Sequence, residues 1–290
     1  MMSYVITTDT TSDLPESFYQ EHEMTVLSMS YFLEDETYCR GKKELDWHEF
    51  YEKMRGGSMP TTAQVNPETA REGFEPLLKA GKDILHIAFS SGLSGSYNSI
   101  CMAAQDLMEE YPERKIIVVD SLCASMGEGF LVYKAMQQQA KGMTLEQTAA
   151  WCETHKLNVV HSFTVDNLFH LFRGGRVSRA SAIVGTMLSI KPILHVDAEG
   201  HLKPLSNVRG RKKALQALVK SMEEKQGSYL GKNDIVFISH GDCRDDAEYV
   251  KKLIQEKYGI QSYMIDMIGP TVGAHSGPGT VALFFMGDQR

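Results

Sequence analysis

Residues 84–97 read ILHIAFSSGLSGSY, a mostly apolar run followed by serines and glycines. The run at residues 84–89 predicts a buried strand, and the pattern at residues 94–110 predicts an amphipathic helix. Unpaired N–H groups and the helix dipole favour an anion at the start of such a helix, and serine hydroxyls supply further donors. The stretch therefore predicts an anion pocket between a strand and a helix.

Similar patterns run outward from this stretch through the first half of the chain. Apolar runs predict strands at residues 4–7, 24–32 and 116–119, and helical periodicity predicts helices at residues 47–54, 67–79, 126–140 and 145–155. Strands separated by helices of this length are typical of βαβ units, so a mostly parallel sheet with flanking helices is expected. Residues 61–64, TTAQ, are interpreted as an extended segment outside helix and sheet.

The pattern changes near residue 157. Strands are predicted at residues 159–163, 193–196, 235–239, 263–268 and 281–285, and helices at residues 166–172, 178–189, 211–225 and 245–257. Residues 269–279, GPTVGAHSGPG, are interpreted as a long loop that carries His275. These elements predict two α/β domains, residues 1–157 with the mostly parallel sheet and residues 158–290 with a mixed sheet and helices.

Polar residues follow several of the predicted strands. Ser90 and Ser91 follow the strand at residues 84–89, and Asp120 and Ser121 follow the strand at residues 116–119. Ligands of open α/β sheets bind outside the carboxyl ends of the strands. We therefore expect the mouth of a binding site at this edge.

Composition excludes several classes of function. The chain has 290 residues and a net charge of −7, which disfavours non-specific nucleic-acid binding. No apolar run approaches the length of a membrane span. Five scattered cysteines without a C-x-x-C pair argue against disulfides or a zinc site and favour a reducing cytoplasm. Residues 167–222 hold ten Lys and Arg against two acids, which is typical either of a face for an acidic partner or phosphate, or of a solvated helix face.

Ser94 has three possible roles by sequence alone. It caps the following helix, donates to a bound anion, or acts as a nucleophile. Residues 92–96, GLSGS, miss the G-x-S-x-G nucleophile motif because Ser96 stands where glycine is required. No phosphate-binding P-loop, dinucleotide G-x-G-x-x-G motif or H-x-x-H pair is present, and a lone His275 more often makes a local hydrogen bond than ligates a metal. No metal or cofactor is therefore expected.

Eight short motifs follow one another along the chain. In chain order they are TDTTSDLP at residues 8–15, PTTAQ at 60–64, SSGLSG at 90–95, VDS at 119–121, RGGRVS at 173–178, IKPIL at 190–194, RGRKKA at 209–214 and HSGPGT at 275–280. The series covers nearly the whole chain and resembles the DegV family of bacterial fatty-acid-binding proteins. It departs from the common family pattern at Ala63, where a serine is usual, at Val65, where a proline is usual, and at Ala282, where a glycine is usual.

The resemblance implies a long-chain fatty acid (palmitate, stearate or oleate) held between two α/β domains, with its tail in an apolar tunnel. By position, Thr62 and Ser94, with the adjacent Gly95, match the residues that hold the carboxylate, and His275 matches the histidine near it. Four arginines match residues for kinase docking or phosphate handling: Arg173, Arg176, Arg209 and Arg211.

The family resemblance also implies a partner. A fatty acid kinase would phosphorylate the presented carboxyl group to an acyl phosphate for phospholipid synthesis, so this chain itself needs no catalytic residue. The alternative is a lipid or ester hydrolase that acts alone, with Ser94 as nucleophile and His275 as base.

Overall fold

The computed structural model describes residues 4–178 and 189–290. Its strands are β1 Tyr4–Asp9, β2 Val26–Leu27, β3 Ser30–Leu33, β4 Glu36–Tyr38, β5 Thr61–Ala63, β6 Asp83–Ala88, β7 Ile116–Asp120, β8 Val159–Thr164, β9 Ile190–Val196, β10 Leu202–Arg209, β11 Ile235–His240, β12 Ser262–Met267 and β13 Val281–Met286. The helices of these ranges are α1 Glu16–Glu21, α2 Trp47–Arg55, α3 Pro67–Lys79, α4 Ser96–Glu110, α5 Met126–Ala140, α6 Leu145–His155, α7 Phe169–Arg173, α8 Arg211–Lys225, α9 Arg244–Tyr258 and α10 Pro270–Ser276.

The first sheet is fully parallel, in the order β2-β1-β6-β7. Phe74 of α3 and Ile100 of α4 belong to the apolar cluster on one face, and Phe130 of α5 belongs to the cluster on the other. Parallel strands need apolar cover on both faces, which explains why most residues of β6 are apolar. This sheet confirms the predicted βαβ organisation of the first half.

The second sheet is mixed, in the order β10-β9-β8-β13-β11-β12, and among the described strands of this sheet only β11 and β12 pair in parallel. Helices α8 and α9 cover one face through Leu218 and Ile254, among other buried side chains. Helix α5 lies against the opposite face, where Phe130 packs edge-on against Phe237 of β11 with ring centroids 4.9 Å apart. Because α5 contacts both sheets, its residues 126–132 are all buried. The predicted class, α/β with a parallel and a mixed sheet, is confirmed.

A third, antiparallel sheet in the order β4-β3-β5 was not expected. The predicted single strand at residues 24–32 is wrong, because β2 joins the parallel sheet whereas β3 turns away to pair with β4 and β5. The interpretation of residues 61–64 as lying outside any sheet is also wrong. Thr62 pairs with Tyr31 across β5 and β3, which fixes the Thr62 side chain on a short strand.

Residues 269–279 contain helix α10, so their interpretation as a long loop is wrong. Pro270 occupies the first turn, where its missing N–H leaves no hydrogen bond unmade, and Gly277 ends the helix at φ +80°. His275 therefore lies on a helix. Helix α4 begins at Ser96 rather than Ser94, with Gly95 as the N-cap residue.

The structure does not test two of the sequence predictions. One is the helix at residues 178–189, because residues 179–188 lie outside the described residues. The boundary at residue 157 stays a prediction; the strands of the parallel sheet lie before it and those of the mixed sheet after it. Within the described ranges, none of the helices has the length and apolar character needed to cross a bilayer.

Candidate functional site

A cavity of about 440 Å³ lies between the parallel and the mixed sheet. Its size is within the range of about 300–1,000 Å³ typical of small-molecule sites. Strand-end residues of the first sheet, such as Phe89, face residues of β8 and β13 across it. Thr62, Ser94, Arg176 and His275 bring hydroxyl, guanidinium and imidazole groups to one part of the wall, which we call the polar end, and aromatic side chains such as Phe163 and Phe284 also line the cavity. The cavity is therefore amphipathic.

Thr62 and His275 meet at the polar end. Thr62 Oγ1 lies 2.8 Å from His275 Nε2, which links β5 to α10. Both side chains line the cavity and both residues are partly exposed. When Nε2 carries the ring hydrogen, it donates to Thr62 Oγ1, and the hydroxyl hydrogen of Thr62 is free to donate to a third group. In that tautomer the pair supplies an oriented hydroxyl donor at the cavity wall.

Ser94 and Gly95 form the adjacent wall. Ser94 Oγ lies 2.9 Å from Ser96 Oγ and accepts from the Ser96 N–H at 3.2 Å, so Ser94 does assist the start of α4. At Gly95, a Cβ would lie only 2.4 Å from Gln64 Oε1. Glycine at this position allows the β5 segment to approach the start of the helix, which brings Thr62 and Ser94 to one cavity.

Arg176 brings positive charge to the same end. Its Nε and Nη2 donate to Leu93 O at 3.2 and 3.0 Å, and Nη1 donates to Gly174 O. Among the described residues it is the guanidinium that lines the cavity, and none of their carboxylates pairs with it. Burial lowers the pKa of Arg176. Its charge is therefore unbalanced and partly desolvated, a situation that favours a bound anion.

The imidazole of His275 is neutral at ordinary pH. Burial, followed by the charges of Arg176 and Arg173, lowers the pKa of His275 from 6.5 to about 4. Nδ1 is buried without a hydrogen-bond partner among the described atoms, and a Cβ on Gly174 would lie 2.1 Å from it. The ring is held by packing on one side and by Thr62 on the other.

The stability of the protein should depend on pH through His275. The unfolded ring takes a proton near pH 6.5 and the folded ring near pH 4, so the stabilisation from the neutral ring is complete above pH 6.5 and is lost as the pH falls toward 4. In the wild type, the free energy of unfolding should therefore rise between pH 4 and pH 6.5. We expect His275→Gln to reduce this rise by about 3 kcal/mol, measured by urea denaturation at several pH values. Glutamine retains a donor toward Thr62.

His48→Gln is the matched control for this measurement. A hydrogen bond to Asp242 raises the pKa of the exposed His48, so its stabilisation is lost as the pH rises above 6.5. Removal of the His48 imidazole should change how the free energy of unfolding depends on pH above pH 6.5. Below pH 6.5 the pH dependence should be the same as in the wild type. An unchanged slope below pH 6.5 in His275→Gln would contradict the proposed burial of a neutral ring.

The other three arginines are not among the residues that line the cavity. Arg173 Nη2 donates to Pro60 O at 2.6 Å and to Ala274 O at 3.2 Å, and so ties the approach to β5 to α10. Arg209 is exposed at the end of β10. Arg211 pairs with Asp246 at 2.7 Å at the start of α8. Arg173 thus stays close to His275 without lining the cavity, whereas Arg209 and Arg211 lie on β10 and α8.

The apolar end is built from alternating residues of two paired strands. Phe163 of β8 lies opposite Ala282 of β13, and His161 lies opposite Phe284. All four line the cavity and are almost fully buried. Sequence reasoning missed these residues, although the i, i+2 spacing within each strand is the signal that places them on one face.

The geometry does not favour a Ser94 hydrolase. Ser94 Oγ is paired with Ser96, and His275 Nε2 is paired with Thr62 instead of Ser94. A general base must take up a proton during catalysis, and the positive charges of Arg173 and Arg176 disfavour protonation of His275. No carboxylate among the described side chains hydrogen-bonds to Nδ1 to orient the ring.

These features define a class: an α/β protein with a parallel and a mixed sheet that enclose an amphipathic cavity with cationic charge at its polar end. The model for the family described as "Uncharacterised protein, DegV family" matches residues 3–288. The chain belongs to the DegV family.

Individual relatives agree in length and fold. The DegV domain-containing protein CPE0026 of Clostridium perfringens is 41% identical over 292 residues, covering 100% of this chain and 99% of its own. A DegV family protein from Thermus thermophilus, described by its fatty acid binding, is 28% identical with a TM-score of 0.86 over 99% of this chain and 100% of its own. A DegV family protein from Ruminococcus gnavus, refined with vaccenic acid, is 25% identical, with a TM-score of 0.88. The match covers 98% of this chain and 100% of its own.

Proposed function

We propose that this protein binds one long-chain fatty acid and presents its carboxylate to a fatty acid kinase. The carboxylate accepts hydrogen bonds from Thr62 and Ser94 next to Arg176, with Gly95 at the helix start beside it and His275 holding the Thr62 hydroxyl. The acyl chain runs between the sheets toward His161. The observation that carries the proposal is the cavity itself, which is cationic and hydroxyl-lined at one end and apolar at the other.

Charge supports this orientation of the ligand. Arg176 has carbonyl partners and no carboxylate partner among the described residues, so an incoming carboxylate supplies the missing negative charge. Charge-assisted hydrogen bonds of this kind contribute about 1.5–3 kcal/mol each. The residues of the polar end are partly exposed, whereas Phe163 and Phe284 are buried. The carboxyl group therefore faces the opening, where a kinase can reach it.

The apolar wall accounts for affinity. Each methylene removed from water contributes about 0.8 kcal/mol, so the tail of palmitate contributes roughly 11 kcal/mol before the costs of ordering and association. The relatives from Thermus thermophilus and Ruminococcus gnavus, described with fatty acids, support the same ligand class here. We assign the phosphoryl-transfer chemistry to the kinase, because the groups at the polar end bind and orient.

Lipid analysis tests this proposal. Mass spectrometry of the denatured, purified protein should release a long-chain fatty acid, and delipidated protein should bind palmitate or oleate with one-to-one stoichiometry by calorimetry. A purified protein that carries no fatty acid, and that fails to bind either acid after delipidation, would overturn the proposal.

The kinase part of the proposal predicts an effect at Arg209. Because this side chain is exposed near the end of β10, Arg209→Glu should lower acyl phosphate formation by roughly tenfold or more with a bacterial fatty acid kinase, ATP and palmitate, through loss of electrostatic attraction. Palmitate affinity should stay within about twofold of the wild-type value. Lys220→Glu, an equal charge change at an exposed position of α8, is the control. Equal rates for the wild type and Arg209→Glu would exclude Arg209 from docking.

A further inference from the structure

The β6–α4 loop, residues 89–95, carries Ser94 and the backbone carbonyl that holds Arg176. Every backbone N–H group from residue 89 to residue 94 is hydrogen-bonded within the protein. The N–H of Ser94, for example, donates to Ser90 O at 3.1 Å. The loop is therefore ordered by acceptors of the protein itself, and these N–H groups have their partners before any ligand binds.

Two aspartates hold this loop from opposite sides. Asp9 is the last residue of β1 and Asp120 is the last residue of β7, and these two strands are the neighbours of β6 in the parallel sheet. Asp9 Oδ2 accepts from the Phe89 N–H at 2.9 Å. Asp120 Oδ1 accepts from the Ser91 N–H at 3.1 Å. The loop thus leaves the sheet between two carboxyl groups.

The two aspartates differ in their surroundings. Asp9 is fully buried, and its Oδ1 lies 3.3 Å from Nε2 of the buried His86. Asp120 is partly exposed, and its partner Ser91 is exposed. Loss of the Asp120 side chain therefore leaves an N–H group that water can reach. Loss of the Asp9 side chain leaves the N–H of the buried Phe89 without a partner, which is more destabilising.

We infer that Asp9 and Asp120 are positioning residues that hold Ser94 and Arg176 in the geometry that receives the carboxylate. The inference rests on the proposed function, because it assigns the carboxylate to these two groups. Neither aspartate is among the residues that line the cavity, so both act through the β6–α4 loop. A loop that is already ordered loses little conformational freedom when the ligand binds, and this strengthens binding.

Substitutions of Asp120 test the inference without leaving a buried group unpaired. Asp120→Ala should weaken palmitate binding roughly fivefold and leave the binding of hexadecanol, an alcohol of the same chain length, within about twofold. The loss is selective because the displaced groups include the Arg176 charge. Asp120→Asn keeps a carbonyl oxygen that accepts from the Ser91 N–H, and it should bind palmitate within about twofold of the wild type. Since asparagine also lacks the charge, this rescue assigns the effect to the hydrogen bond.

Asp83→Ala is the matched control. Asp83 Oδ1 also accepts from a backbone N–H, that of Lys115 at 3.0 Å, but Asp83 is the first residue of β6 and so lies at the opposite end of that strand. Asp83→Ala should bind both ligands like the wild type. Asp9→Ala should show the same selective loss as Asp120→Ala, and if Asp9→Ala does not fold, the Asp120 variants decide.

Calorimetry on delipidated protein, with thermal unfolding of each variant, gives the result. A selective loss of palmitate affinity in Asp120→Ala that Asp120→Asn restores supports the positioning role. Unchanged palmitate affinity in Asp120→Ala, equal losses for the two ligands, or no recovery in Asp120→Asn would overturn it. A wild-type protein that binds neither palmitate nor hexadecanol would instead overturn the proposed function.

Discussion

Arg176→Met is expected to weaken palmitate binding by roughly 10- to 100-fold while leaving hexadecanol binding within about twofold. The guanidinium is held next to Ser94 by Leu93 O and has no carboxylate partner among the described residues. A carboxylate bound there gains a charge-assisted interaction that an alcohol of the same chain length does not. Comparison of the two affinities therefore distinguishes the contribution of the Arg176 charge from the contribution of its packing. Calorimetry on delipidated protein gives both affinities.

The control for this experiment is Arg209→Met, since Arg209 is exposed on β10 and is not among the residues that line the cavity. It should bind both ligands like the wild type. Equal losses for palmitate and hexadecanol in Arg176→Met would indicate that Arg176 supports the structure of the wall only. An unchanged palmitate affinity would show that the carboxylate lies elsewhere.

Ala282→Phe is expected to reduce palmitate affinity more than a hundredfold. Ala282 is small, faces the cavity and lies opposite Phe163 on the neighbouring strand, so a benzyl group there projects into the path of the acyl chain. Displacing about four methylenes removes roughly 3 kcal/mol of binding free energy. The ring occupies existing space, so the melting temperature should stay close to that of the wild type.

The matched control is Ala150→Phe, which adds the same ring to an exposed position of α6. Ala150→Phe should bind palmitate normally. If Ala282→Phe is folded and also binds palmitate normally, the acyl chain does not pass between β8 and β13, and the proposed path is wrong.

Local patterns in the sequence predicted the larger elements of the fold well. Apolar runs such as β6 and β11 are long enough to be recognised alone, and α5 and α8 have helical composition over four turns. Short elements depend on partners instead. The strand β5 has three residues with a polar sequence, and it forms because β3 lies beside it. Helix α10 has seven residues including Gly273, which stands where a side chain would meet the Tyr51 ring.

The functional site was also predictable only in part, because some of its residues are placed by contacts between distant segments. Thr62, Ser94, Gly95 and His275 were predicted by position in family motifs, and the structure brings all four to one cavity end. Their contact with a carboxylate stays a prediction. The place of Arg176 was not predictable, because basic residues in a charged stretch usually face solvent, and its burial follows from the position of Leu93 in another part of the fold.

The orientation of the bound acid is the central claim, and anomalous X-ray diffraction from a complex with palmitate brominated at its terminal carbon tests it most directly. We expect one bromine peak beside His161, with the carboxylate between Thr62, Ser94 and Arg176. A bromine peak beside Ser94, or a cavity filled by the protein's own side chains with no acyl density, would contradict the account.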